Sequence, residues 1–213
     1  MTRSTIWTLV VLAVVAALVA AFVVELDDDP AAGGGPPSAQ AARAHRDADT
    51  PAALAGPRQQ ADLPPCPSSP DNPGPARLRG IVVECAGDGV AVDVARAVAG
   101  QPTVLNLWAY WCGPCAEELP AMAEYQRRAG PDVRVITVHQ DENETAALLR
   151  LADLKVRLPT LQDGQRRVAA ALGVPNVMPA TVVLRADGSV AAILPRAFTT
   201  ADDIAAAVKN ALQ

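Results

Sequence analysis

The strongest constraint on this fold is a handover. The run Val104-Leu105-Asn106-Leu107-Trp108-Ala109-Tyr110-Trp111 leads directly into Cys112-Gly113-Pro114-Cys115. A nearly continuous apolar stretch, Val104 to Ala109, reads as a strand covered on both faces. Pro114 costs a helix little in its first turn, where backbone N–H groups have no intrahelical partner. A buried strand therefore passes its chain to a helix N-terminus, and two thiols sit at the junction. Thiols separated by two residues can close a small disulfide ring and reopen it, and a helix N-terminus favours the thiolate.

The surrounding pattern predicts an α/β architecture. Leu78–Glu84 and Val90–Val94 read as strands joined by Ala86-Gly87-Asp88-Gly89, a hairpin signal. Pro114–Ala129 suits a helix, and Val133–Val138 is a second buried strand. Glu144–Leu154 is a helix with Asn143 as its cap. Gln165–Leu172 is a shorter helix ended by Gly173. Ala180–Leu184 and Val190–Leu194 flank a second hairpin turn, and Thr200–Leu212 closes the chain as a helix. Strand, helix, strand requires a parallel crossover, and the hairpins add antiparallel strands, so the sheet is mixed with helices on both faces.

Upstream the composition changes twice. Ile6–Val24 carries no charge. As a helix it would be roughly 28 Å long, close to the hydrocarbon thickness of a bilayer. Arg3 precedes it and Glu25, Asp27, Asp28 and Asp29 follow. That asymmetry predicts a single-pass anchor at 6–24, with residues 1–5 in the cytoplasm and the remainder outside the cell membrane. A cleaved signal peptide is the competing reading; the apolar run is longer than such peptides usually carry, although Ala20 and Ala21 are small enough for cleavage. Residues 25–63, rich in Ala, Gly, Pro and Gln, read as a flexible tether to a folded domain at 64–213. The net charge of -5 leaves no general basic field for nucleic acid. A lone Cys-x-x-Cys can bind zinc, but usually with a second pair or histidines. Here the other cysteines are far apart and His139 is the only histidine of the folded region, so neither a metal nor a cofactor is expected.

Trp108 through Cys115 resembles the active-site segment of thioredoxin-fold proteins, and the element order from about Leu78 onward agrees. The resemblance implies a central mixed sheet flanked by helices, here with an added N-terminal hairpin. It implies that Cys112, exposed at the helix start, attacks a disulfide and that the shielded Cys115 resolves the mixed disulfide. It also implies that Pro179, in Met178-Pro179-Ala180-Thr181, has a cis peptide bond and faces the cysteine pair, with the Met178 backbone available to an extended substrate segment. Trp111 reads as a surface platform beside the site, and Trp108 as core. Many cytoplasmic thioredoxins carry a buried aspartate where Asn106 stands. Cys115-Ala116-Glu117-Glu118-Leu119-Pro120 instead resembles the Cys-x-x-Glu-x-Pro continuation of the TlpA/ResA group of membrane-tethered bacterial reductases. In that group the glutamate tunes the cysteine pair; Glu118, three residues after Cys115 on the same helical face, is expected to handle the Cys115 proton, its pKa raised by partial burial.

Cys66 and Cys85 most simply form a structural bridge, since disulfides persist outside the membrane; a second redox pair is the alternative. The expected function is an extracytoplasmic protein-disulfide reductase. Its implied partners are apocytochrome c as candidate substrate, an integral membrane thiol-electron donor and the bilayer. An oxidase or isomerase using the same site, or a tethered thiol-protein chaperone without turnover, is the alternative.

Overall fold

A computed structural model describes residues 49–213. The expected anchor at 6–24, the cytoplasmic residues 1–5 and the tether up to residue 48 lie outside the described residues. Among the described residues no helix is long and apolar enough to cross a membrane.

The elements run α1 (Pro51–Ala61), a 3-10 turn (Ala76–Leu78), β1 (Val82–Cys85), β2 (Ala91–Asp93), α2 (Val94–Ala97), β3 (Thr103–Trp108), α3 (Gly113–Ala129), β4 (Arg134–His139), α4 (Glu144–Asp153), β5 (Thr160–Gln162), α5 (Arg167–Leu172), β6 (Ala180–Leu184), β7 (Val190–Leu194) and α6 (Ala201–Leu212). The seven strands form one sheet in the order β2-β1-β5-β4-β3-β6-β7. The β3–β4 and β4–β5 pairs are parallel and the remaining pairs antiparallel, as the crossover and hairpin signals require.

Strand alternation divides the interior into two layers. Leu105, Leu107, Ile136, Val138, Val182 and Leu184 face a layer shared with β1, α2 and α5. Val104, Trp108, Val135 and Val183 face the other, where Leu119 and Met122 of α3 and Ile204 and Val208 of α6 pack. Both cysteines of the Cys112–Cys115 pair belong to this second layer.

Three expectations need correction. The first strand begins at Val82 rather than Leu78, because Leu78 ends the 3-10 turn, fully buried, and Gly80 turns the chain at φ 77°. A short strand, Thr160–Gln162, pairs in parallel with β4 where no element was expected. The tether does not extend to residue 63, because Pro51–Ala61 is helical. Thr50 caps that helix, its hydroxyl accepting from the Ala53 N–H at 3.3 Å, with Pro51 at the first position. Leu54 and Ala61 pack on Leu148 of α4 and on Ala86. Arg58 reaches across to donate to the Ala86 carbonyl at 3.1 Å and to the carboxylates of Glu84 and Glu144. Asp49 accepts from the first N–H groups of α4, Glu144 and Thr145, at 3.2 and 3.0 Å. Helix α1 is held by these distant partners, since its own sequence has little amphipathic character.

Candidate active site

The register places the site before any side chain is considered. Leu107 on β3 pairs with Ala180 on β6. Pro179 therefore stands opposite the end of β3, from which the chain turns through Ala109 and Tyr110 to Cys112. Cys112 is the N-cap of α3, and its sulfur accepts from the Cys115 N–H at 3.3 Å. The two are joined as a disulfide. Cys115 is fully buried, as expected. Cys112 is only 6% exposed rather than open to solvent. In the closed ring its sulfur turns into the apolar layer, against which Tyr110 and Met178 also pack. The Met178–Pro179 peptide is cis.

Trp111 is the open face of the site, 57% exposed. Its indole N–H donates to Asp141 at 3.0 Å, so the ring is anchored at one edge and bare over the rest. Trp108 is fully buried and stacks at a tilt on His139, centroids 4.9 Å apart. Both His139 nitrogens are engaged, Nε2 by the Tyr110 N–H at 3.3 Å and Nδ1 by Gln162 Oε1 at 2.8 Å. The amide oxygen requires a proton on Nδ1, which leaves Nε2 as the acceptor. Burial pushes the His139 pKa down, so a neutral ring braces the Tyr110 turn.

Glu118, one turn beyond Cys115, has no exposed surface. Asn106 donates to its Oε2 at 2.7 Å and the Phe198 backbone N–H to its Oε1 at 3.0 Å. Burial pushes its pKa up to about 7; the Asn106 and Phe198 hydrogen bonds and the charge of Arg196 pull the other way and lose. The site thus contains a buried carboxyl poised to exchange a proton near neutral pH. Beside it, Asn106 Oδ1 and Thr181 Oγ1, on paired residues of β3 and β6, have no partner. Glu117 is exposed.

The Asn106–Glu118 contact follows from strand alternation and helix periodicity. The Phe198 and Arg196 contacts do not, because they come from the irregular segment between β7 and α6. Arg196 caps the Phe198 ring from outside, its guanidinium carbon 4.1 Å from the ring centroid. Pro195-Arg196-Ala197-Phe198 carries no motif that announces this position. The second cysteine pair, Cys66–Cys85, is also joined, and Cys85 is fully buried at the end of β1. It ties the irregular entry segment to the hairpin, away from the α3 N-terminus.

The chain resembles known proteins in sequence and in fold. The chain is 29% identical over 101 residues to the thiol-disulfide oxidoreductase ResA of Bacillus subtilis, a match covering 47% of this chain and 56% of ResA. It spans little more than half the length of that relative. Among solved structures, MTB DsbF superposes with a TM-score of 0.57 at 24% identity, covering 65% of this chain and 98% of DsbF. A secreted thiol-disulfide isomerase from Corynebacterium glutamicum superposes with a TM-score of 0.54 at 26% identity, covering 63% of this chain and 84% of that one. The redoxin family model matches residues 69–208, from ahead of the first hairpin into α6. With the sheet order and the placed cysteine pair, that match makes this chain a member of the redoxin family, of the TlpA/ResA-like thioredoxin-fold type.

Proposed function

We propose that the chain is a membrane-tethered, extracytoplasmic thiol–disulfide oxidoreductase that reduces protein disulfides. The observation that carries this reading is the buried Glu118 carboxyl, with a pKa of about 7, one turn beyond the fully buried Cys115. In the reduced protein the Cys112 thiolate, favoured at the α3 N-terminus, attacks one sulfur of a substrate disulfide. The substrate S–S bond breaks, its leaving sulfur takes up a proton, and a mixed disulfide forms. The Cys115 thiol then gives its proton to Glu118 and attacks the Cys112 sulfur. The second substrate sulfur leaves as a thiol, and two electrons have passed from the Cys112–Cys115 dithiol to the substrate. Trp111 offers an apolar platform, and the Met178 backbone beside Pro179 pairs with the extended substrate chain.

An oxidising compartment keeps spent protein in the disulfide form, so an integral membrane thiol-electron donor must restore the dithiol. Apocytochrome c is the candidate substrate, because its haem-attachment cysteines must be reduced before ligation. Cys66–Cys85 serves as a structural bridge and contributes roughly 3 kcal/mol. The isomerase among the structural neighbours supports a second reading, in which the same site rearranges disulfides.

Insulin reduction by the full chain and by Cys115→Ser, with a redox titration of the wild type, tests the proposal. Turnover by the wild type, a trapped mixed disulfide in Cys115→Ser, and a midpoint in the reducing range of about -270 mV are expected. A midpoint near about -120 mV overturns the reductase direction. An inert wild type favours a tethered holder of thiol proteins.

A further inference from the structure

Arg166 has a backbone it should avoid. It precedes α5 at φ 57° and ψ 31°, a left-handed conformation unfavourable for a side chain of its size. Capping does not require it there. Its side chain makes no cap bond, and Asp163 does that work, accepting from the Arg167 and Val168 N–H groups at 3.0 and 2.8 Å. That backbone closes a turn, its N–H donating to the Asp163 carbonyl at 2.9 Å, and it carries the guanidinium to two amide acceptors. Nε donates to Gln140 Oε1 at 3.1 Å and Nη1 donates to Asn176 Oδ1.

The two amides lie on opposite sides of the site's rim. Gln140 follows β4, is 5% exposed, and its backbone N–H donates to the Trp108 carbonyl at 2.9 Å, at the end of β3. Asn176 belongs to the loop that runs from Gly173 through Val177 and Met178 to Pro179. Among the described residues, the Arg166–Asn176 bond is the one side-chain hydrogen bond that ties this loop to the rest of the fold. Val177, next to it, is 45% exposed. Arg166 has no carboxylate partner within ion-pair distance among the described residues, so its bonding is spent on bridging the two amides.

We infer that Arg166 is a positioning residue that braces the 174–179 loop against the end of β4. It thereby fixes the backbone that a disulfide-bearing polypeptide meets beside Cys112. This rests on the oxidoreductase reading above. A small disulfide does not need that backbone, whereas a polypeptide does.

The test compares the full chain with Arg166→Gly and Arg166→Lys on insulin and on hydroxyethyl disulfide, and follows amide exchange at Asn176, Val177 and Met178. Glycine adopts the left-handed conformation freely. Arg166→Gly therefore should unfold at the same or a higher denaturant concentration than wild type. It should also raise KM for insulin about tenfold, with kcat and the rate on hydroxyethyl disulfide within twofold. The three loop amides should exchange faster. Arg166→Lys, with a single ammonium for two amides, should fall between. An unchanged KM and unchanged exchange in Arg166→Gly overturn the inference, as does an equal loss on both disulfides accompanied by destabilisation. If the wild type reduces neither disulfide, the oxidoreductase reading falls, and the loop amides still decide the brace.

Discussion

Among the described residues two glutamates are buried, Glu118 on α3 and Glu144 on α4, and both have pKa values pushed up to about 7. Burial is the largest cause in each case, yet their surroundings differ. Glu118 is met only by uncharged donors, the Asn106 amide and the Phe198 N–H. Glu144, in the first turn of α4, is met by the Arg58 guanidinium at 3.0 Å, while Glu84 and Asp49 repel it. An ionised Glu144 is committed to a cation that also holds α1 against β1. An ionised Glu118 has no cation in contact, so its proton can leave and return without breaking a tie between elements. The first arrangement makes an anchor, and the second suits a proton relay beside a thiol.

Both carboxyls tie stability to pH with the same sign. Their folded pKa values lie above the ordinary 4.5, so the folded state binds more protons than the unfolded chain between about 4.5 and 7. The contribution of these two groups to stability is therefore greatest below that window and falls as pH rises through it. For Glu118 the shift corresponds to a penalty on the order of 3 kcal/mol above pH 7.

The largest expected effect is on the anchor. Arg58→Ala leaves Glu144 without its cation and α1 without its cross-links. It should cost about 3 kcal/mol at pH 8, measured by denaturant unfolding, because removal of one partner strands a buried charge. The loss should shrink at pH 5, where Glu144 is protonated and needs no cation. Turnover per folded molecule should stay within twofold. A pH-independent loss would show that α1 is held by Leu54 and Ala61 rather than by the ion pair.

Next comes the relay. Glu118→Gln should lower disulfide turnover at pH 7 on the order of 100-fold, the scale of a lost proton-transfer group. The rise in rate through pH 7, as Glu118 becomes able to accept the Cys115 proton, should flatten. The fold should tolerate the change. If the Asn106 amide flips, its Oδ1, now unpartnered, can accept from the new side-chain N–H. At pH 8 the variant should unfold no more easily than wild type, since it no longer carries an ionised buried carboxylate. Glu144→Gln should leave turnover untouched. Equal turnover losses in the two variants would erase the distinction drawn between them.

The relay was more legible in the sequence than the anchor. Cys112, Cys115 and Glu118 share one helix, where spacing along the chain reports spacing on a face. The two hairpins announced themselves through Asp-Gly turns. Helix α1 has a readable start in Thr50-Pro51, but its Ala, Gly and Pro composition reads as tether because its partners, Glu84, Ala86 and Glu144, are remote in sequence. The strand β5 is too short for periodicity to register, and it is held on both sides by β1 and β4, partners remote in sequence. The burial of Cys112, the Phe198 N–H on Glu118 and the strained Arg166 depend on irregular segments whose course only tertiary packing fixes.

The smallest expected effect probes how isolated Glu118 is from charge. Arg196 lies outside the apolar layer, exposed, stacked over Phe198, and its positive charge favours the ionised carboxylate. Solvent screens such a group, so its influence should be worth about 0.5 kcal/mol. Arg196→Met keeps an apolar cover on the ring and removes the charge. It should move the midpoint of the pH–rate profile upward by roughly 0.3 units, while Arg196→Lys should leave it nearly in place. A shift of a full unit or more in Arg196→Met would mean that Glu118 depends on a cation much as Glu144 does, and the two sites would then differ in degree rather than in kind. No shift would place the whole tuning of Glu118 on burial, the Asn106 amide and the Phe198 N–H.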